Sequence, residues 1–148
     1  PTYLRQGIAY IRPGWVRRKV RGLYLELSPR VMAITGGPLR QLPQAATDHY
    51  LARIVQGVRT YRPGIPVVLL GPAPHAAASY PSLRHHEPAV AAARSWCATH
   101  DVGFVDLDPL VGPSLRAGNG NPDGMHFGWD AHDAIGRAAA DALTTGGF

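Results

Sequence analysis

The residues whose types and spacing best suit chemistry are Asn121-Pro122-Asp123-Gly124-Met125-His126, set in a glycine-rich stretch. An Asp and a His three residues apart on a turn can point the same way, so the carboxylate accepts from one imidazole nitrogen and leaves the other free as a base. That is half of a hydrolase triad, with His126 as the base and Asp123 as its orienter. The competing reading is a helix-capping Asp followed by a surface His, because the D-x-x-H spacing is common. Position favours chemistry: the pair follows the last strand-like run, on a loop, where α/β sheets place their function.

Other candidates are weaker. His75 follows an apolar run on a Pro-flanked loop, so it falls at the carboxyl edge of a strand, where substrates lie. His85 and His86, between Arg84 and Glu87, suit either a substrate contact or a solvated helix cap. Asp130, His132 and Asp133 invite a metal reading with Asp123 and His126, but Asp130 and His132 are two apart and cannot share a helix face, so no metal is expected.

Positioning these groups requires elements that the hydrophobic periodicity supplies. From Pro13, Trp15, Val16, Val20, Leu23, Tyr24 and Leu27 recur every three to four residues and predict an amphipathic helix with a basic outer face, stopped at Pro29. Residues 31–44 are ambiguous, with Val31 to Thr35 readable as a short strand before a Gly/Pro loop. A second helix is predicted from Thr47 or Asp48 to Tyr61, ended by Arg62-Pro63-Gly64. Ile65 to Gly71 and Val102 to Leu107 read as strands buried on both faces, and the helix between them, Glu87 to His100 with Val90, Ala93, Trp96 and Cys97 inward, makes a parallel βαβ unit. A short helix over 109–115 and a last one from Trp129 or Asp130 to Leu143 complete the pattern.

Two parallel strands leave edges and faces uncovered. Residues 1–148 are therefore expected to form the C-terminal portion of a single three-layer α/β/α domain whose opening strands lie before Pro1. The absence of an initiator Met agrees with that expectation.

Composition narrows the classes. Gly and Pro make up 31 of 148 residues, 17 plus 14, which predicts many turns but shows no fibrous or low-complexity period. Fifteen Lys+Arg against ten Asp+Glu give a net charge of +5, and every basic residue but Lys19 is Arg. Guanidinium-rich charge over Arg12 to Arg21 suits phosphate or carboxylate recognition, with Arg17 and Arg18 the candidate contacts, although a solvated helix face is the simpler reading. No nucleic-acid motif accompanies the charge, so a nucleic-acid partner is not expected. Cys97 is alone and forms no internal disulfide, and no apolar run suffices to cross a bilayer, so the expected location is cytoplasmic.

Asp123-Gly124-Met125-His126, followed by Asp130-Ala131-His132 and a closing helix, resembles the last conserved block of the SGNH/GDSL hydrolases. Tyr10-Ile11-Arg12-Pro13-Gly14-Trp15-Val16-Arg17-Arg18, Arg62-Pro63-Gly64-Ile65-Pro66, His75, His85-His86 and Gly118 to Gly124 resemble the actinobacterial diglucosylglycerate octanoyltransferases. The resemblance implies a flavodoxin-like SGNH fold and a Ser-His-Asp acyl transfer from acyl-CoA, a donor substrate and not a cofactor, to a glucosylated glycerate. It implies that Asp123 and His126 are the catalytic pair, and it favours Arg17 and Arg18 as a clamp for coenzyme A phosphates or the glycerate carboxylate.

The chain departs from that pattern in one respect. Its serines are Ser28, Ser79, Ser82, Ser95 and Ser114, none in a Gly-Asp-Ser turn or a Gly-x-Ser-x-Gly elbow. Residues 34–39 imitate the oxyanion block, but Gly37 and Pro38 stand where an amide and a carboxylate belong. The nucleophile is therefore expected before residue 1, and the segment alone is expected to be inactive. The alternatives are a non-catalytic SGNH-fold binding module and a plain ester hydrolase.

Overall fold

The computed structural model describes residues 7–37, 42–78 and 80–145. Ser79, Pro38 and Leu39 lie outside the described residues. In chain order the elements are α1 (Gly14–Thr35), α2 (Gln44–Tyr61), β1 (Val68–Leu70), α3 (His86–His100), β2 (Gly103–Val105), α4 (Asp108–Arg116) and α5 (Trp129–Thr145). This is a mixed helix and strand arrangement around a small parallel sheet.

The sheet contains β1 and β2, paired in parallel with Val68 opposite Gly103 and Leu70 opposite Val105. Helix α3 connects them, as the βαβ reading predicts. Both strands are shorter than their apolar runs. The second run carries buried residues on both faces, Val102 on one and Val105 and Leu107 on the other. The first does not: Leu70 is 44% exposed and Ile65 47%, so the expectation of a doubly buried strand is corrected there. At the end of β1, Gly71 permits close packing, since a Cβ there would stand 2.8 Å from the Phe104 ring.

The core lies where α2 and α3 meet the sheet. Val55, Trp96, Cys97 and Val102 are buried together, with Leu51, Val67, Leu69 and Phe104 against them. Alternation along β1 places Val67 and Leu69 on this side. Burial raises the Cys97 thiol pKa above its ordinary value. Helix α5 packs on both strands and on α4, and Val111, fully buried, anchors α4. Arg94 ties α3 to the end of β2 through an Asp106 contact of 2.6 Å while its guanidinium lies over Phe104.

Helix α1 corrects two expectations. It runs through Pro29 to Thr35, so Pro29 does not stop it and Val31 to Thr35 are helical. Proline removes one backbone hydrogen bond and its ring crowds the carbonyl of Leu25 four residues back, but its fixed φ is compatible with a helix, and this 22-residue helix continues through it. The helix ends instead at Gly36, which adopts the left-handed conformation. Its apolar stripe is not inward: no α1 residue is buried, and Leu23, Val31 and Ile34 are 58%, 55% and 86% exposed. The periodicity predicted the face but not a partner for it. No helix among the described residues is long and apolar enough to cross a membrane.

Candidate functional site

The turn preceding α5 carries the predicted pair, and its geometry follows from Asp123. One carboxylate oxygen, Oδ1, accepts the backbone N–H groups of Met125 at 3.0 Å and His126 at 3.1 Å. This is the local bonding that suits Asp to turns. The other oxygen, Oδ2, receives His126 Nδ1–H at 2.5 Å. Asp123 therefore caps its own turn, six residues before α5 begins, and orients the imidazole at the same time. Asp123 is thus not the cap of α5 that the competing reading expected, because its carboxylate bonds the amides of its own turn and the imidazole of His126.

With Nδ1–H donated to Asp123, Nε2 of His126 is the unprotonated nitrogen of the neutral ring. It has no partner among the described residues, and the side chain is 73% exposed. An oriented imidazole with a free Nε2 can take a proton from a hydroxyl.

The two backbone N–H bonds, followed by the bond from His126, hold the Asp123 carboxyl down to a pKa of about 2. These bonds favour the charged form, so their contribution to the folded state is complete above the ordinary carboxyl range and is lost as the pH falls through about 2. The Asp123 carboxyl carbon followed by NMR is expected to titrate near pH 2. A midpoint near pH 4 would show that the turn bonds are not made in solution.

The dyad turn rests on the loop after β1. Gly124 carbonyl accepts the Ala76 N–H at 2.8 Å, and Gly124 has φ +67 with its Cβ position only 2.7 Å from the Ala76 carbonyl. Asn121 N–H donates to the His126 carbonyl at 3.1 Å, closing the turn on itself. Sequence reading singled out neither the Gly124 contact nor Ala76. The Asp-Gly pair signalled a turn, but nothing local indicated what it would pack against.

His75 lies on this same loop, one residue before Ala76. Its ring stands edge-on to Tyr80, and Nδ1 is buried with no hydrogen-bond partner. Desolvation, followed by the nearby His86, lowers its pKa below the ordinary histidine value. His86 Nε2–H donates to the Pro72 carbonyl at 3.1 Å, and His85 Nε2–H donates to the Gly37 carbonyl at 2.9 Å. These two histidines use one ring nitrogen each to fasten loops, joining the start of α3 to the end of α1 and to the loop after β1. Ser82 Oγ–H also holds that junction, donating to the Gly36 carbonyl at 2.7 Å.

Arg17 and Arg18 are exposed on α1. Arg17 donates to the Ala9 carbonyl at 3.4 Å, and no bond or ion pair among the described residues brings either arginine to the dyad. Asp133 is paired with Arg137 at 2.6 Å, and the His132 ring lies against Phe127 and Trp129. Among the described residues no three His, Cys, Asp or Glu side chains converge as a metal site. Of the serines, Ser28, Ser95 and Ser114 lie within helices, and no described serine bonds to His126.

No protein-family profile matches the chain, and no solved structure matches it. It is 40% identical over 148 residues to the diglucosylglycerate octanoyltransferase of Mycolicibacterium hassiacum, a match covering 99% of this chain and 60% of that protein. It is 36% identical over 148 residues to the protein of the same name from Mycobacterium tuberculosis, covering 99% and 59%. The chain is thus similar over essentially its whole length to proteins named diglucosylglycerate octanoyltransferase, and spans about three-fifths of theirs.

Proposed function

We propose that the chain is the base-carrying portion of an SGNH-type acyltransferase, cytoplasmic and built on a three-layer α/β/α sheet domain, that moves an octanoyl group from acyl-CoA to a sugar hydroxyl of a glucosylated glycerate. The observation that carries this reading is the Asp123–His126 bond, which leaves Nε2 open. The similarity to the named octanoyltransferases supports the acyl group and the acceptor.

In this mechanism His126 Nε2 takes the proton of a serine hydroxyl outside residues 1–148 as the oxygen attacks the thioester carbonyl. The C–S bond breaks, and the proton passes to the departing thiolate. The acceptor hydroxyl then loses its proton to the same nitrogen as it attacks the acyl-serine, and the serine oxygen recovers a proton as the ester forms. Asp123 fixes the tautomer and stabilises the imidazolium formed in each half. Water in place of the sugar completes an ester hydrolysis.

The test is to supply the intact protein with octanoyl-CoA, with and without glucosylglycerate, and to follow free thiol and octanoylated sugar. The expected result is thiol release coupled to sugar acylation. Thiol release that yields only octanoate would make the protein a hydrolase, and no release at all would support a non-catalytic module.

A further inference from the structure

His75 is the one residue among those described that has a buried side-chain nitrogen without a hydrogen-bond partner. Leaving a buried polar atom unpaired is costly, and this one occurs on the loop bonded directly to the dyad turn through Ala76 and Gly124. The burial of Nδ1 decides the form of the ring. A proton on Nδ1 would leave an orphaned buried N–H, whereas a proton on Nε2 leaves only a lone pair unpaired, which is the better tolerated of the two. Charging the ring would also place a proton on Nδ1. His75 is therefore a neutral imidazole with its N–H at Nε2; among the described residues Nε2 makes no hydrogen bond, and the residue as a whole is only half-buried.

The surroundings hold that donor in place. Tyr80 packs edge-on against the ring, with centroids 6.3 Å apart, and His86 fastens the loop at the Pro72 carbonyl. A fixed neutral donor suits an uncharged oxygen, because anionic phosphates or carboxylates draw on charged partners such as Arg. The residues flanking His126 on its own segment are of the opposite character: Met125 is 44% exposed and Trp129 89%. That segment therefore offers exposed apolar surface to an acyl chain, whereas His75 offers a neutral hydrogen-bond donor.

We infer that His75 is an acceptor-binding residue whose Nε2–H donates to an uncharged hydroxyl oxygen of the sugar and holds that sugar beside His126. The inference rests on the acyl-transfer reading and adds to it the residue that divides sugar from water. Loss of one such neutral bond lowers acceptor use by about fivefold to tenfold and leaves the thioester half-reaction alone.

The experiment measures, in the intact protein supplied with octanoyl-CoA and glucosylglycerate, the ratio of octanoylated sugar to octanoate. His75→Leu is expected to lower that ratio about fivefold to tenfold through a raised KM for the sugar. His75→Gln, whose amide nitrogen can take the place of Nε2, is expected to restore most of it. His75→Asn places its amide at the Nδ1 position and is expected to behave like His75→Leu, so it serves if the leucine variant does not fold. An unchanged ratio in either donorless variant, or an equal fall in hydrolysis and transfer, overturns the inference while leaving the acyl-transfer reading standing. A wild-type protein that acylates no sugar overturns both.

Discussion

His126→Ala in the intact protein is expected to reduce octanoyl transfer by about 10⁴-fold or more, with only a small loss of thermal stability. The stability half follows from the site itself. The imidazole is 73% exposed on its side chain and bonds only to Asp123, so its removal opens no cavity. The activity half follows from the bond to Asp123, which leaves one unprotonated nitrogen to serve both proton transfers. Asp123→Asn is expected to cost a comparable factor in rate, because an amide facing Nδ1 no longer selects the tautomer that frees Nε2. Unlike His126→Ala, it also replaces the acceptor of the Met125 and His126 amides. Its melting temperature should therefore fall further than that of His126→Ala. Activity within tenfold of wild type in His126→Ala would remove this residue as the base.

Gly124→Ala is expected to damage both stability and activity, although Gly124 has no chemistry of its own. At φ +67 an alanine carries a left-handed strain of about 1–2 kcal/mol. Its Cβ would also stand 2.7 Å from the Ala76 carbonyl carbon and oxygen, which are backbone atoms and cannot swing aside. The turn must then move off the loop after β1, and the 2.8 Å bond between them breaks. A displacement of about 1 Å at a reacting group can cost about 100-fold in rate, and a fall of that order in octanoyl transfer is expected. Gly136→Ala is the matching control: no atom stands within 4 Å of its Cβ position in α5, and an added helix-former there should stabilise by up to about 1 kcal/mol. Equal behaviour of the two variants in thermal melts and in rate would mean that the turn does not rest on Ala76 as described.

What was legible in the sequence was the local physics. Asp123 and His126 were found because a short polar side chain bonds its own turn, and that interaction spans three residues. The helix over 86–100 and its inward residues Ala93, Trp96 and Cys97 followed from the period of a single amphipathic stripe, and the parallel pairing followed from two apolar runs separated by that helix. What was not legible depended on partners distant in sequence. The apolar stripe of α1 is as regular as that of α3, yet it is exposed, because periodicity specifies a face and not what covers it. Pro29 signals a stop in the sequence, yet the helix runs on to the left-handed Gly36, which supplies its end. The roles of His85 and His86 as loop fasteners depend on carbonyls at Gly37 and Pro72, 48 and 14 residues away, and no local pattern encodes them.

The central claim is that His126 activates a serine that is not among residues 1–148, and the most direct measurement locates the acyl group. The intact protein would be mixed with octanoyl-CoA in the absence of sugar, quenched in acid, digested and mapped by mass spectrometry. The expected result is a single octanoylated serine outside this segment, absent from the His126→Ala variant. An octanoyl ester on Ser28, Ser79, Ser82, Ser95 or Ser114, or labelling undiminished without His126, would contradict the account.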